Sequence, residues 1–368
     1  MKFNLLTPSD RRILSILVER GPLSRAELAD LIGVSRPAVT QMISSLERFG
    51  LVEELESRKG ARGQPARPVG IRTGAGYSAG VSFSHSYLDL AIIDLTGAVL
   101  DSCRLALDEP TPNAVACTAT MALLEVRGRL GSFDGTFIGV GFALPGDFQV
   151  GTSMLIAHRY FPAFDRIDAQ AFFQQHFDQP VFTENDGRTC AMGERLAGLG
   201  RGCRDFMLVH LGHGVGGGLF LDNRLYRGAH RNAGPLGTFF PMGAPRPSGQ
   251  DLLETLRGQG IAAADFDILE TLDPSAMPPL AAWCERAGKQ LAPALQHVSD
   301  IIDPEMIIIG GRLPASILSA VVEATGLPDQ PCPGRAAGAP PVVRASWLGA
   351  QAGAVGAASI PILDLLLP

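Results

Sequence analysis

Gly80-Val81-Ser82-Phe83-Ser84-His85-Ser86-Tyr87-Leu88 leads directly into Asp89-Leu90-Ala91-Ile92-Ile93-Asp94-Leu95-Thr96-Gly97. Apolar residues dominate both ends of this stretch, and the polar residues Ser84, His85 and Ser86 separate them. The pattern predicts a strand, a tight turn and a second strand, with polar groups concentrated at the turn.

Downstream of this hairpin, strand patterns alternate with helical ones. Residues 137–143 form a short apolar run, and residues 180–183 form another that ends at Glu184-Asn185-Asp186. Gly-rich turns recur at residues 139–141, 212–218 and 310–311. The alternation predicts mixed α/β layers, in which polar residues at the carboxyl ends of strands bind ligands.

Upstream, the first 72 residues predict a winged helix-turn-helix. A helical period covers Ser9 to Arg20, and Ser24 with Glu27 has the spacing of a capping box for a second helix. Gly33 suits a turn that requires positive φ, and Ser35 can cap a third helix that has Pro37 in its first turn.

The third helix has one polar face and one apolar face. The polar residues, which we predict to contact DNA, are Ser35, Arg36, Pro37, Thr40, Gln41 and Ser44. The loop from Ser57 to Pro68 then resembles a wing, and its Arg58, Arg62 and Arg67 are predicted to contact DNA as well. A dimerisation module with a solvated polar face is the alternative, and the basic wing argues against it.

Charge divides the chain in the same way. Residues 1–72 contain 12 Lys/Arg and 8 Asp/Glu, a balance of +4, whereas the remainder contains 19 and 29, a balance of −10. Only the first segment has the sign that favours a polyanionic partner.

The start of the chain lacks a secretory signal and no apolar run reaches membrane-spanning length, so we expect a cytoplasmic protein. Six scattered cysteines show no zinc-binding spacing, and we expect no metal and no cofactor.

Several motifs, taken in order, make the chain resemble the ROK (repressor, open reading frame, kinase) family in its repressor layout. They are residues 141–146, Glu184-Asn185-Asp186 with Glu194, residues 212–218, residues 225–229, Ala233-Gly234 and residues 308–311. The resemblance implies an α/β fold: a winged helix-turn-helix over 1–72, then a two-lobed actin-like ATPase (ribonuclease H-like) body. Its small lobe would comprise 78–186 plus 347–368, and its large lobe 187–346.

The resemblance also implies an effector site. Asp186 falls at the position of the base in family kinases, and Asn185, Thr238 and Glu254 fall at or near sugar-contacting positions. Two simpler roles stay open: Asp186 as the N-cap of a helix near Gly187, and Glu254 as an exposed helical carboxylate. Tyr160 lies near a position where the family often has a sugar-binding Asn.

The departures from the family pattern concern phosphate, sugar and zinc. Ser82, Ser84, His85 and Ser86 stand where kinases have the Asp, Gly and Thr residues of their leading phosphate turn, and His213 replaces a Thr in the next. Pro235 and Thr238 replace a sugar-binding Glu and a His, and residues 243–251 lack the three zinc-binding cysteines. Phosphoryl transfer depends on positioning and charge neutralisation, so these losses argue against catalysis, with Asp186 non-catalytic.

We therefore expect a DNA-binding transcriptional regulator, a repressor, that binds a double-stranded operator as a homodimer and a sugar-derived effector in its body. The first alternative is an active ATP-dependent sugar kinase with a DNA-binding appendage. The second is a DNA-bound protein that has lost its ligand.

Overall fold

The computed structural model describes residues 5–56, 67–131, 135–329 and 340–367. Its N-terminal unit comprises three helices and a two-stranded antiparallel sheet: α1 (Pro8–Arg20), α2 (Arg25–Ile32), α3 (Arg36–Arg48), β1 (Val52–Glu54) and β2 (Val69–Ile71). Val39, Ile43 and Leu46 of α3 are fully buried. The predicted winged helix-turn-helix is confirmed.

The helix starts follow the capping signals. Ser24 and Glu27 form the predicted capping box, and the Ser35 side chain accepts a hydrogen bond from the third residue of α3. The first helix begins one residue before the predicted Ser9, because Thr7 caps it in a box with Asp10. Gly33 ends α2 with φ +77°, in the left-handed region.

Replacing Gly33 by alanine is expected to lower the free energy of unfolding by about 1 kcal/mol, since an L side chain strains the left-handed backbone. Gly128 is the matched control, because it lies inside a regular helix and an added Cβ meets no atom within 4 Å. Gly128→Ala should stabilise the protein by about 0.5–1 kcal/mol. Urea denaturation would compare the two, and equal effects would contradict the strained turn.

The first large sheet is built from residues 76–185. Along the chain come β3 (Gly76–Phe83), β4 (Tyr87–Asp94), β5 (Val99–Ala106), α4 (Pro112–Leu130), β6 (Thr136–Leu144), β7 (Gly146–Phe148), β8 (Leu155–Ala157), α5 (Ala169–Gln174) and β9 (Val181–Asn185). The strand order is β5-β4-β3-β6-β9. The hairpin β3-β4 is antiparallel as predicted, and β6 and β9 extend the sheet in parallel.

The second large sheet lies farther along the chain. The elements are α6 (Asp186–Ala197), β10 (Phe206–Leu211), β11 (Val215–Leu221), β12 (Arg224–Leu225), α7 (Gly249–Gly258), α8 (Pro278–Ile302), β13 (Met306–Gly311), α9 (Ala315–Thr325), β14 (Val343–Ala345) and α10 (Ala352–Leu365). The strand order is β12-β11-β10-β13-β14. No described helix combines the length and the apolar composition that crossing a membrane requires.

Helix α10 returns to the first sheet and packs against α6, β3 and β6. Glycines make this approach possible: a Cβ on Gly80 would lie 2.0 Å from the Ala358 amide nitrogen, and one on Gly141 would lie 1.9 Å from the Ala357 carbonyl oxygen. Two strand positions therefore need glycine for backbone contact. The close packing fixes β3, and with it the turn that follows.

The N-terminal unit contacts the rest of the chain, its body, through α1. The buried apolar side chains of the unit form one continuous cluster with residues of β4 and α10. Arg195 pairs with Glu19 at 3.4 Å, and the Arg201 guanidinium donates to the Val18 carbonyl oxygen. Helix α1 is therefore held against the body by apolar packing, one ion pair and one hydrogen bond.

Candidate DNA interface and ligand cleft

The polar face of α3 is free to meet a partner. All six residues predicted to contact DNA on this helix are exposed: Ser35, Arg36, Pro37, Thr40, Gln41 and Ser44. The opposite face holds the core of the unit, so the helix axis is fixed while the polar side chains remain accessible. This is the geometry by which a helix enters a major groove.

One predicted wing residue is described. The Arg67 side chain is 72% exposed, with a long 3.8 Å contact to Glu54. An exposed pair at this separation leaves the guanidinium available to phosphate. Arg58 and Arg62 lie outside the described residues.

The turn between β3 and β4 surrounds a carboxylate that sequence analysis missed. Asp265 accepts hydrogen bonds from the Ser84 hydroxyl at 2.6 Å, the His85 amide at 3.1 Å, and the Ser86 amide and hydroxyl at 3.0 and 2.8 Å. Burial acts to raise the pKa of Asp265, but the hydrogen bonds from Ser84, Phe266 and Ser86 outweigh it and lower that pKa. An internal anion therefore occupies the donors of this turn.

Arg312 brings a positive charge to the same place from the second sheet. It follows β13, and its guanidinium donates to the Ser82 hydroxyl at 3.2 Å and to the Phe83 carbonyl oxygen. Arg312 and Asp265 are 8% and 2% exposed. The junction of the two sheets is thus closed by charged groups of the protein itself.

Two histidines complete the junction. His85 Nδ1 and His213 Nε2 are 3.0 Å apart, and His85 Nε2 lies 3.1 Å from the Tyr160 carbonyl oxygen. Because a carbonyl only accepts, His85 donates to it from Nε2 and accepts from His213 at Nδ1. Burial lowers the pKa of His213 well below its usual value, which agrees with a neutral His213 ring.

Among the described residues, His85, His213 and Asp265 form a cluster that could hold a metal ion. Their ligand atoms lie within 4.8 Å of one another. These atoms already bond to each other and to the turn, however, so a cation would have to displace an existing hydrogen-bond network. The same hydrogen bonds connect the β3–β4 turn to Asp265 and His213.

Asn185 and Asp186 lie at the end of β9 and border a cavity of about 520 Å³. Thr238 borders the same cavity, which is within the roughly 300–1,000 Å³ range of small-molecule sites. The N-cap of α6 is Asn185, which accepts from the Gly187 and Arg188 amides, and not Asp186 as the simpler role required. Asp186 Oδ1 accepts hydrogen bonds from the Gly187 amide at 2.8 Å and from the Asn185 side-chain amide at 3.1 Å, and the side chain is 23% exposed.

Glu254 borders a second cavity, of about 290 Å³, and not the one that holds Asp186. It is exposed and accepts a hydrogen bond from Gln250 at 2.9 Å, as a helical carboxylate does. The two cavities share part of their lining: His158, His213, Met242 and Arg246. Tyr160 borders the smaller cavity.

Buried ion pairs orient the end of the larger cavity at which Asn185 lies. Glu184 is 1% exposed and pairs with Arg188 and Arg227, each at 2.8 Å, while it also accepts from the Asn185 amide. Burial acts to raise the pKa of Glu184, but the two guanidinium groups outweigh it and lower that pKa. The ionised carboxylate holds the strand end in a fixed position.

The fold and these sites define a class: a winged-helix DNA-binding unit joined to a two-sheet body with an interlobe cleft. The ROK family matches residues 78–362, and a winged helix-turn-helix DNA-binding family matches residues 6–53. The chain belongs to the ROK family and has the layout of its transcriptional regulators.

Individual relatives are similar to most or part of the chain. The "Uncharacterized protein y4fQ" of Sinorhizobium fredii is 36% identical over 97% of this chain and 91% of its own length. The xylose repressor of Bacillus spizizenii is 24% identical over 62% of this chain, which spans 59% of that repressor. A solved ROK family transcriptional regulator, a homologue of the Escherichia coli Mlc protein, shares the fold with TM-score 0.68 and 20% identity, covering 97% of this chain and 96% of its own.

Proposed function

We propose that the protein is a DNA-binding transcriptional repressor whose body binds a sugar-derived effector in the interlobe cleft. The observation that carries the proposal is the exposed polar face of α3 on a winged unit whose core is complete. The similarity to a protein named xylose repressor supports both the output and the effector class.

The body supports a binding role more than a kinase role. The turn that would cradle phosphate already donates its amides and hydroxyls to Asp265, and Arg312 lies against it. Mg²⁺-bound phosphate would have to displace this carboxylate and would meet no metal-orienting Asp in the turn. Asp186 then acts as a hydrogen-bond acceptor for a ligand hydroxyl, with His210 Nε2 3.6 Å away.

Control of DNA binding would pass through α1. The effector cleft begins at α6, and α6 carries the Arg195 that pairs with Glu19 of α1. A ligand changes operator affinity only if it binds two arrangements of the domains unequally. We propose a homodimer, because a palindromic operator presents two equivalent half-sites.

The direct test measures binding of the full-length protein to DNA from upstream of its own coding region. Fluorescence anisotropy at several salt concentrations gives the affinity. Specific binding should exceed binding to scrambled DNA by about 10³-fold or more. Analytical ultracentrifugation of the complex tests the dimer. Equal affinity for both DNAs would contradict the proposed function.

Kinase activity has its own test. We expect ADP release in the presence of ATP, Mg²⁺ and a panel of hexoses and amino sugars to stay at the rate without sugar. Turnover that Asp186→Asn abolishes would instead establish the kinase alternative, because that substitution removes only the base.

A further inference from the structure

A further cavity, of about 290 Å³, lies between the winged unit and the body, and we call it the α1 cavity. Helix α1 contributes Arg12, Ile16 and Arg20 to its lining, and the body contributes Arg195 and Leu363. None of the described residues lines both the α1 cavity and the interlobe cleft. Its volume is near the lower end of small-molecule sites, so an occupant would be small.

The residues of α1 that line this cavity share one face of the helix. Arg12, Ile16 and Glu19 are spaced by four and three positions, and Arg20 follows directly. Side chains with this spacing are neighbours on a helix surface. The face of α1 that meets the body therefore has an apolar residue with charged residues on either side of it.

The floor of the α1 cavity is apolar and incompletely covered. Ile16 and Leu363 are partly buried against the apolar cluster that joins the unit to the body. Leu31 of α2 lines the same cavity and is 37% exposed. An apolar group placed against these three side chains would remove more of their surface from water, which is favourable.

The rim of the α1 cavity is positively charged. Arg12 and Arg20 are exposed, and their guanidinium groups form no ion pair or hydrogen bond with any described residue. Glu19 is the one carboxylate among the described residues of the lining, and it pairs with Arg195. Three arginines against one carboxylate give this lining a net charge of +2.

Arg195 is a nearly buried cation with few acceptors. Its side chain is 11% exposed, and its Nη2 lies 3.4 Å from both Glu19 Oε2 and Asn223 Oδ1. Charge-assisted hydrogen bonds are shorter, at about 2.7–2.9 Å. The Nε and Nη1 donors of Arg195 have no acceptor among the described residues. Such a guanidinium is costly to bury, and an anion in the cavity would lower that cost.

A second cavity, of about 370 Å³, adjoins the α1 cavity and continues its positive charge. The two share three lining residues: Asn223, Leu363 and Leu367. The second cavity has one carboxylate in its described lining, Asp364, which pairs with Arg227 at 3.4 Å. Arg11 donates to the Leu365 carbonyl oxygen, and Arg224 is exposed without a described partner. No unpaired carboxylate on this side would therefore repel an anion in the α1 cavity.

We propose that the α1 cavity binds a small amphipathic anion, an apolar molecule that carries one carboxylate or phosphate group. Its apolar part lies against Ile16, Leu31 and Leu363, and its anionic group faces Arg195 between the charges of Arg12 and Arg20. This site is separate from the effector cleft, so the inference goes beyond the proposed function and does not depend on it.

The test compares organic anions with neutral analogues. Full-length protein is titrated by calorimetry with phenyl phosphate, benzoate and hexanoate, with the neutral molecules phenol, benzamide and hexanamide, and with inorganic phosphate. At least one organic anion should bind about tenfold or more tightly than its neutral analogue. Inorganic phosphate should bind more weakly than that anion, because it has no apolar part. The carboxylate and phosphate arms identify which anionic group is preferred.

Arginine variants locate the anionic group. Arg12→Gln with Arg20→Gln should weaken binding of the organic anion about tenfold or more and leave its neutral analogue nearly unchanged. Both positions are exposed, so the variant should fold. Arg166→Gln with Arg257→Gln is the matched control, because it removes two exposed arginines that border neither cavity.

A leucine variant locates the apolar part. Leu31→Ser should weaken binding of the organic anion about threefold or more, because it removes part of the apolar floor. Leu124→Ser is the matched control: Leu124 is 68% exposed on α4 and does not line the α1 cavity. Its binding of the anion should equal that of wild type.

Four results would overturn the inference. They are neutral analogues binding as tightly as the anions, inorganic phosphate binding as tightly as the best organic anion, the double arginine variant binding that anion like wild type, and no probe binding. Operator affinity of the double arginine variant, measured without any probe, should stay within about fivefold of wild type. A larger loss would assign Arg12 and Arg20 to DNA phosphates and would also overturn the inference. Specific operator binding by the wild type tests the proposed function separately.

Discussion

Replacing Arg36 and Gln41 together by alanine is expected to weaken operator binding by about 30-fold to 10⁴-fold, because each well-placed base contact contributes about 1–3 kcal/mol. Both side chains are exposed on the polar face of α3 and lie about 1.4 helical turns apart. Neither contributes to the buried core of the unit. Fluorescence anisotropy on a labelled operator at fixed salt measures the loss.

The matched control removes the same two side-chain types from the body. Arg257→Ala with Gln259→Ala alters exposed positions at the end of α7, far along the chain from the winged unit. We expect its operator affinity to equal that of wild type, and circular dichroism should show both doubles folded. If the α3 double variant binds as tightly as the control, α3 is not the recognition helix.

The winged unit could be predicted from sequence because its signals are local. A capping box spans three residues, and Gly33 reports a positive φ by its identity alone. The apolar period of α3 likewise fixes which face is buried. Each of these features is encoded within one or two turns of helix, so no distant contact is needed to interpret it.

The cleft could be predicted only in part. Asn185 and Asp186 end a strand, and strand ends are a general location for ligands. Asp265 meets the turn at Ser84 from 181 positions along the chain, and Arg312 reaches Ser82 from 230. No spacing rule brings such residues together. Gly310 and Gly311, predicted as a turn, are the last two residues of strand β13, and Arg312 follows them directly.

The Ser-rich turn between β3 and β4 is a case in which a distant residue changes the role assigned to a sequence motif. The resemblance to family kinases predicts that this turn lacks the metal-orienting Asp, the glycines and the Thr of a phosphate turn. The structure adds that its remaining donors bind the internal carboxylate of Asp265. The turn therefore makes a structural contact between the first sheet and the segment that joins α7 to α8.

Replacing Asp265 by alanine is therefore expected to lower the free energy of unfolding by about 3–5 kcal/mol, because several donors lose their acceptor in a buried place. Asp267→Ala is the matched control, two residues away and exposed, with an expected effect within about 0.5 kcal/mol. Chemical denaturation of both variants measures the difference. Asp265→Asn, which keeps one oxygen acceptor and loses the charge, should fall between them.

The pH dependence of the stability difference between wild type and Asp265→Asn tests whether the charge of Asp265 causes that difference. The pKa of Asp265 is lower in the folded protein than its ordinary value, which is about 3.9 in an unfolded chain. Its contribution is therefore fully present above about pH 4 and is lost as the pH falls through the lower, folded-state pKa. The gap in stability between wild type and Asp265→Asn should stay constant from about pH 5 to 8 and narrow below about pH 4. A gap that is unchanged down to acid denaturation would mean that Asp265 stabilises the junction by shape alone, and the turn would then not be an anion site.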